Sequence, residues 1–354
     1  MTISTFAAID VGSYEVSMKV FELSKKAGLR EIDYVRSRLE LGRGAYSQGK
    51  IESDMIDELC DILIGFQGIM KGYGVKDYRA CATSAFRDLR NPLIIIEQIY
   101  QRTGIRIEVL SNAEQHFLGY KSIAARETGF KKMIQKGTAI VDVGGGSIQV
   151  SLFDKDALVT TQNLKLGSLR VRERLRELEK ETTHYEKLVE EFVRNDLMSF
   201  QRLYLKDRDI KHVIFMGDFL TETIFHEKLS DRIIARDEFI ERYEQIAYKS
   251  TDSLAEEMGI AAEYASLVVP TIVIYKKFIE IFEAEALWVP GVSLGDGIAY
   301  DYGEKLKLIK SAHNFENDIL VATRNIAKRY SSGKNHIQGT TKLAVIIIEM
   351  LKKL

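Results

Sequence analysis

The stretch AIVDVGGGSIQVSLF, residues 139–153, decides how the chain is read. An apolar run ends at Asp142, three glycines follow, and an alternating run begins at Ile148. Apolar β-formers broken by glycine predict a strand, a tight turn and a second strand. The pattern occurs a second time, 132 residues earlier, as TFAAIDVGSYEVSMKVFEL (5–23), where Asp10 lines up with Asp142. A third strand is expected after each hairpin, REIDYVRSRLELG (30–42) and ALVTTQNLKLG (157–167), and both stretches end in Leu-Gly.

The parallel continues outward. The first half offers helix 54–71, strand YRACAT (78–83), helix 91–103 with Asn91 and Pro92 at its start and Gly104 at its end, strand IRIEVL (105–110) and a helix from about Ser111. The second half offers helix 169–200, strand HVIFMG (212–217), helices to about 284, strand ALWVPG (286–291) and a helix after Gly295. Each half therefore reads β-β-β-α-β-α-β-α, a mixed sheet with helices on its faces, present twice around a cleft.

Bulk properties fit this picture. The chain has 354 residues, more than one ordinary core needs, and a formal net charge of −1, which gives no general attraction for nucleic acid. Two cysteines, Cys60 and Cys81, show no metal spacing and suit a reducing cytoplasm. The N-terminus lacks a signal-peptide pattern, and the longest apolar runs fall short of a membrane span. From Gly303 to Leu354 ten Lys/Arg face four Asp/Glu, which reads as a basic solvated helix face.

The turns suit phosphate. Glycines let backbone N–H groups approach an anion, and a carboxylate after each strand can hold Mg²⁺ through water. The segment CATSAFRDLRNP (81–92) adds Thr83, Ser84 and Arg87 at a helix start, groups suited to a phosphate oxygen. The six His residues show no metal spacing, and RVRERLREL (170–178) reads as an exposed helix face with internal charge pairs.

AAIDVGS (7–13), ATSAFRDLRN (82–91), IEVLSNAEQ (107–115), VDVGGGS (141–147), LGSLRVRERL (166–175) and SLGDGI (293–298) resemble, in order and spacing, the exopolyphosphatase / guanosine pentaphosphate phosphohydrolase (Ppx/GppA) family. The resemblance covers roughly residues 5–302. It implies two duplicated ribonuclease-H-like, actin-like α/β halves, 1–130 and 131–303, around a central cleft. A short helical piece, 304–354, would then resemble the start of a helical HD-like third domain, as in a truncated or naturally short member. The family removes terminal phosphate from polyphosphate or guanosine pentaphosphate with Mg²⁺, and it often forms homodimers. By this resemblance Asp10 and Asp142 position the metal. Gly12, Ser13, Tyr14, Arg87, Gly144, Gly145, Gly146 and Ser147 contact phosphate.

The pattern breaks where the family keeps its carboxylates. The family's SGxEEA is here SNAEQH (111–116), so the general-base position is Gln115. The glutamate two residues after the GGGS serine is Gln149, the first turn carries Tyr14 for Asn, and the late glycine loop reads MGDFLTE (216–222). An amide orients a water but cannot take its proton. Glu114 and Glu15 are the nearest carboxylates in sequence that could replace the base. Tyr14 either stacks on a base or blocks the cleft. Two functions follow: a phosphohydrolase of this family with a displaced base, or a binding relative that senses polyphosphate or a guanosine polyphosphate. A sugar or acetate kinase on the same fold is the third.

Overall fold

The computed structural model describes residues 4–155, 157–206, 208–217, 232–311 and 313–329, with 333, 335, 336, 339, 340, 342 and 343. The late glycine loop from residue 218 onward, and most of the tail beyond residue 329, lie outside the described residues.

The first sheet is built on the hairpin β1 (Ser4–Val11) and β2 (Glu15–Ser24), extended by β3 (Gly28–Arg38), all antiparallel. After helices α1 (Leu41–Gln48) and α2 (Ser53–Gly72), β4 (Asp77–Ala82) pairs parallel with β1. The short α3 (Ser84–Arg87) and α4 (Pro92–Thr103) then lead to β5 (Ile107–Val109), giving the order β3-β2-β1-β4-β5. Pro92 opens α4 as expected, the Asn91 side chain makes no capping bond to it, and Gly104 ends it in the left-handed conformation at φ 70°.

Helices α5 (Asn112–Ala124) and α6 (Glu127–Met133) cross to the second half. There β6 (Thr138–Val143), β7 (Ile148–Asp154) and β8 (Ala157–Leu164) repeat the antiparallel meander. Two helices follow, α7 (Ser168–Glu179) and α8 (Tyr185–Phe200), where the sequence pattern suggests one. The break has a local cause: the Thr182 hydroxyl accepts from the His184 N–H, a turn that competes with the helix. Strand β9 (His212–Met216) pairs parallel with β6. β10 (Arg232–Ala235), α9 (Arg236–Ile246), α10 (Thr251–Met258), α11 (Ala262–Phe282) and β11 (Ala286–Val289) complete the order β10-β11-β9-β6-β7-β8. The edge strand β10 has no counterpart in the first half.

Duplication is visible in register. Asp10 faces Ser17 on its antiparallel neighbour and Cys81 on its parallel one; Asp142 faces Gln149 and Met216 in the same two places.

The helices that join the halves change sides. Leu294, Ile298 and Ala299 of α12 (Leu294–Lys305) pack on Phe6, Ala8 and Phe21 of the first sheet. Tyr120 and Ile123 of α5, with Phe130 and Met133 of α6, pack on Ile140, Phe153 and Ile214 of the second. Lys121 of α5 donates to Asp301 of α12 at 2.8 Å and also pairs with Glu304, so the crossing carries a buried charge network as well as apolar contact. The last described helix, α13 (Phe315–Arg329), covers the edge at β8, where the Asn325 amide donates to the Val159 carbonyl at 3.1 Å. No single helix among the described residues is long and apolar enough to cross a membrane.

Candidate active site

The two glycine turns close identically. The Gly12 N–H donates to the Glu15 carbonyl at 2.9 Å, and the Gly144 N–H to the Ser147 carbonyl at 3.0 Å. A Cβ on Gly12 would fall 2.7 Å from that carbonyl oxygen, so the turn requires glycine there. The turn carbonyls face the next helix: Ser13 O accepts from Gly42 N at 2.7 Å, and Gly144 O and Gly145 O accept from Ser168 N and Arg170 N at 3.1 and 2.9 Å. Among the described residues the N–H groups of Ser13, Gly145 and Gly146 have no backbone partner. Such adjacent N–H groups suit an anion.

The two turns meet. A Cβ on Gly145 would lie 3.3 Å from the Ser13 Cβ. One on Gly146 would lie 1.8 Å from the Tyr46 hydroxyl and 2.5 Å from the Ser84 Oγ. Tyr46, on α1, donates to Ser13 Oγ and lies 3.0 Å from Ser84 Oγ, and the two serine hydroxyls are 2.8 Å apart. Ser13, Ser84 and the GGGS turn expected at a phosphate are thus together, with Tyr46 between them. Burial pushes the Tyr46 phenol up, so it stays a neutral donor. The sequence offered no signal for Tyr46.

Arg87, at the end of α3, turns inward. Its guanidinium donates to the Leu110 carbonyl at 2.8 Å and to Gln115 Oε1 at 3.0 Å. Burial pulls its pKa down, opposed by Tyr46, Asp88 and Asp10. Arg87, Asp10 and Gln115 therefore share one side of the cleft. On the other side Gln149 stands across from Asp142 in the β6–β7 ladder, which puts both side chains on the same face of the sheet. Gln149 is only 2% exposed, and its Nε2 makes no hydrogen bond.

Three expectations change. Glu114 is exposed and accepts from the Ser111 N–H at 2.9 Å while the Ser111 hydroxyl accepts from the Glu114 N–H at 3.2 Å; this capping box holds its carboxyl below the usual range and away from Arg87 and Gln115. Glu15 is also engaged, accepting from the Tyr264 hydroxyl at 2.8 Å. Tyr14 packs with Leu169 and Leu267, stands edge-on to Tyr264 with ring centres 5.0 Å apart, and keeps its hydroxyl without a hydrogen bond. It stands as a wedge between the halves, its ring packed on Leu169, Leu267 and Tyr264.

The charged run on α7 is solvated only in part: Arg174, Arg176 and Glu177 are exposed, while Arg170 and Arg172 are engaged. Arg172 reaches Glu40 of the first half with two bonds, 3.2 and 2.8 Å, and donates to Ser266 Oγ at 2.9 Å. Arg170 pairs with Asp88, donates to the Gly146 carbonyl at 2.8 Å, and lies over the Tyr46 ring at 3.9 Å. Arg38 pairs with Glu263 at 2.7 Å. These contacts form a latch across the cleft mouth, with a cavity of about 400 Å³ lined by Arg43, Arg172, Arg176, Glu40 and Glu263 beside it.

No group of three or more His, Cys, Asp or Glu able to hold a metal occurs among the described residues. Asp10 and Asp142 give two carboxylates at equivalent strand ends. That donor set fits Mg²⁺, which keeps waters and takes one or two carboxylates plus ligand phosphates, and does not fit a protein-only metal cage.

The sequence model of the Ppx/GppA phosphatase family matches residues 21–306. The chain is 26% identical over 164 residues to Exopolyphosphatase 1 of Mycobacterium tuberculosis, an alignment spanning 46% of this chain and 46% of that protein. It is 20% identical over 357 residues to the guanosine-5'-triphosphate,3'-diphosphate pyrophosphatase of Vibrio atlanticus, spanning 97% of this chain and 67% of that protein. The chain thus spans about half the length of the mycobacterial relative. Among solved structures it is similar to an exopolyphosphatase from Cytophaga hutchinsonii, with a TM-score of 0.74 at 20% identity, covering 87% of this chain and 100% of that one.

Proposed function

Because the chain belongs to the Ppx/GppA phosphatase family, we propose that its cleft takes the terminal phosphates of inorganic polyphosphate or a guanosine polyphosphate together with Mg²⁺. We infer further that it holds this ligand as a sensor and hydrolyses it slowly. The observation that carries this reading is the pairing of Arg87 with Gln115 at 3.0 Å. The side chain placed to meet an attacking water is an amide already bound through its oxygen.

Other features support binding. Two hairpin turns present N–H groups without backbone partners, Arg87 and the Ser13 and Ser84 hydroxyls adjoin them, and Asp10 and Asp142 offer oxygen donors for Mg²⁺. When bound, Mg²⁺ would neutralise phosphate charge. The side chains would orient the chain of phosphates and exclude water from it. Loss of a general base typically slows such chemistry by ~10²–10⁴-fold. Phosphoryl transfer relies on positioning and electrostatics as well, so a slow residual rate is expected rather than none.

The two curated relatives point to two ligands, one an exopolyphosphatase and the other a guanosine pentaphosphate enzyme, so both belong in the test. Binding of polyphosphate and of guanosine pentaphosphate is measured with and without Mg²⁺, beside phosphate release from each. Mg²⁺-dependent binding with release far below ordinary enzyme rates is the expected result. Release at ordinary rates would overturn the sensor reading in favour of a phosphohydrolase with another base. Absence of binding to either would overturn the ligand class.

A further inference from the structure

Tyr46 stands where the ligand would have to go. Its phenol oxygen bonds Ser13 Oγ and lies 3.0 Å from Ser84 Oγ, and the two serine oxygens are 2.8 Å apart. Three hydroxyls with three protons close a ring in which Tyr46 donates to Ser13, Ser13 to Ser84, and Ser84 to Tyr46. Each hydroxyl proton that could meet an anionic oxygen is then taken inside the ring. The same phenol presses on the GGGS turn, since a Cβ on Gly146 would fall 1.8 Å from its oxygen. Tyr46 thus touches each of the three segments whose residues suit phosphate: the two glycine turns and the segment at Ser84.

The ring has a built seat. It lies back over its own helix, where a Cβ on Gly42 would fall 2.6 Å from Tyr46 Cε2, so glycine at this position makes room for it. Arg170 covers the ring with its guanidinium 3.9 Å from the ring centre. That guanidinium is fixed in turn by the Gly146 carbonyl at 2.8 Å and by its pairing with Asp88. Ser13, Ser84 and Arg170 are groups that a phosphate would recruit, and Tyr46 engages all three. Entry of a phosphate between the turns requires the phenol to leave.

We propose that Tyr46 is a built-in occupant of the phosphate position: its phenol oxygen takes the place of a ligand oxygen between Ser13, Ser84 and the GGGS turn, and the ligand binds by displacing it. This deepens the phosphate reading of the cleft and rests on it. Binding is then weakened by the factor by which the closed form outnumbers the open one. A neutral phenol offers Arg170 less than a phosphate does, so a polyanion carrying Mg²⁺ can replace it once bound to the turns.

The test uses the full chain with fluorotyrosine incorporated, the ¹⁹F signal of Tyr46 being identified by its loss in Tyr46→Phe. The signal is followed as Mg²⁺ and tripolyphosphate are added, and affinity for tripolyphosphate is measured by calorimetry for the wild type, Tyr46→Phe and Tyr46→Ala. The expected result is a Tyr46 signal that shifts on saturation and an affinity raised about tenfold in Tyr46→Ala. The gain should be smaller in Tyr46→Phe, which loses the hydroxyl bonds but keeps the ring. If melting curves show that Tyr46→Ala does not fold, Tyr46→Phe decides, and an affinity no higher than that of the wild type overturns the inference. An unmoved Tyr46 signal at saturation, or a folded Tyr46→Ala that binds no tighter than the wild type, would overturn it as well and leave the phosphate reading standing. Failure of the wild type and both variants to bind tripolyphosphate would overturn the phosphate reading, and the displacement with it.

Discussion

Gly146 and Tyr46 touch across the cleft so closely that a side chain on the glycine would fall 1.8 Å from the tyrosine hydroxyl. Gly146→Ala therefore forces the halves apart or displaces Tyr46. Overpacking of this kind costs about 1–3 kcal/mol. The expected outcome is a lower urea midpoint for Gly146→Ala, largely recovered when Tyr46→Ala is added. Two independent, additive losses would mean that the contact does not set the spacing of the halves.

Arg172 and Glu40 form the two-bonded charged contact of the latch, with both terminal guanidinium nitrogens engaged. Arg172→Met keeps most of the aliphatic volume and removes the pairing, leaving the Glu40 carboxylate in a half-buried place. A loss of about 1–3 kcal/mol is expected, less than for a fully buried pair because solvent screens part of it. The same variant should show a larger radius of gyration by X-ray scattering. An unchanged radius would mean that the apolar wedge at Tyr14 holds the cleft without the ion pairs.

Glu114 separates a helix cap from a catalytic base. Glu114→Ala removes the capping box and should cost about 1 kcal/mol in thermal stability. Phosphate release should not change. A fall of tenfold or more in release, with stability intact, would make Glu114 the base despite its place at the helix start.

Restoring both carboxylates is the direct test of the amide positions. Gln115→Glu with Gln149→Glu should raise phosphate release by ~10²-fold or more if the base is what the cleft lacks. Arg87 would pair with a carboxylate at position 115 and hold it ionised. A double variant as slow as the wild type would show that the closed turns, rather than the missing base, limit turnover.

His116 predicts a pH dependence of stability. Burial pushes its folded pKa down to about 4, below the ordinary value near 6.5. Between these values the unfolded chain binds a proton that the folded chain refuses, so stability falls as pH drops from about 6.5 towards 4. The full effect is on the order of 3 kcal/mol. Denaturant midpoints at pH 7 and pH 4.5 should differ less in His116→Ala than in the wild type. Equal differences would place the acid sensitivity elsewhere.

Much of this architecture is legible in the sequence because it is written twice. The Asp-Val-Gly turns of Asp10 and Asp142, the start of α4 at Pro92 and its stop at Gly104, and the alternating strands all follow local rules that need no knowledge of the partner half. The contacts between halves obey no local rule. Arg172 and Glu40 are 132 residues apart, and a basic helix face looks the same in sequence whether it meets water or a carboxylate. Tyr14 reads as a turn residue because its apolar neighbours, Leu169 and Leu267, come from far along the chain. His116 is hidden for the same reason: the Ser151 and Thr161 hydroxyls that its ring bonds are on strands of the other half. Strand β10, only four residues long, is too short for periodicity to register.

The exchange of α5 and α12 sets an order of events during synthesis. The inner face of the first sheet, with Phe6, Ala8 and Phe21, is covered by Leu294, Ile298 and Ala299, which are synthesised some 270 residues after it. At roughly 5–20 residues per second, that face waits on the order of tens of seconds for its cover. The nascent chain thus carries a completed hairpin with an apolar side open to any passing chaperone or neighbour. A fragment ending at residue 130 would keep that side open permanently, so the two halves form one unit of folding although they read as two in sequence.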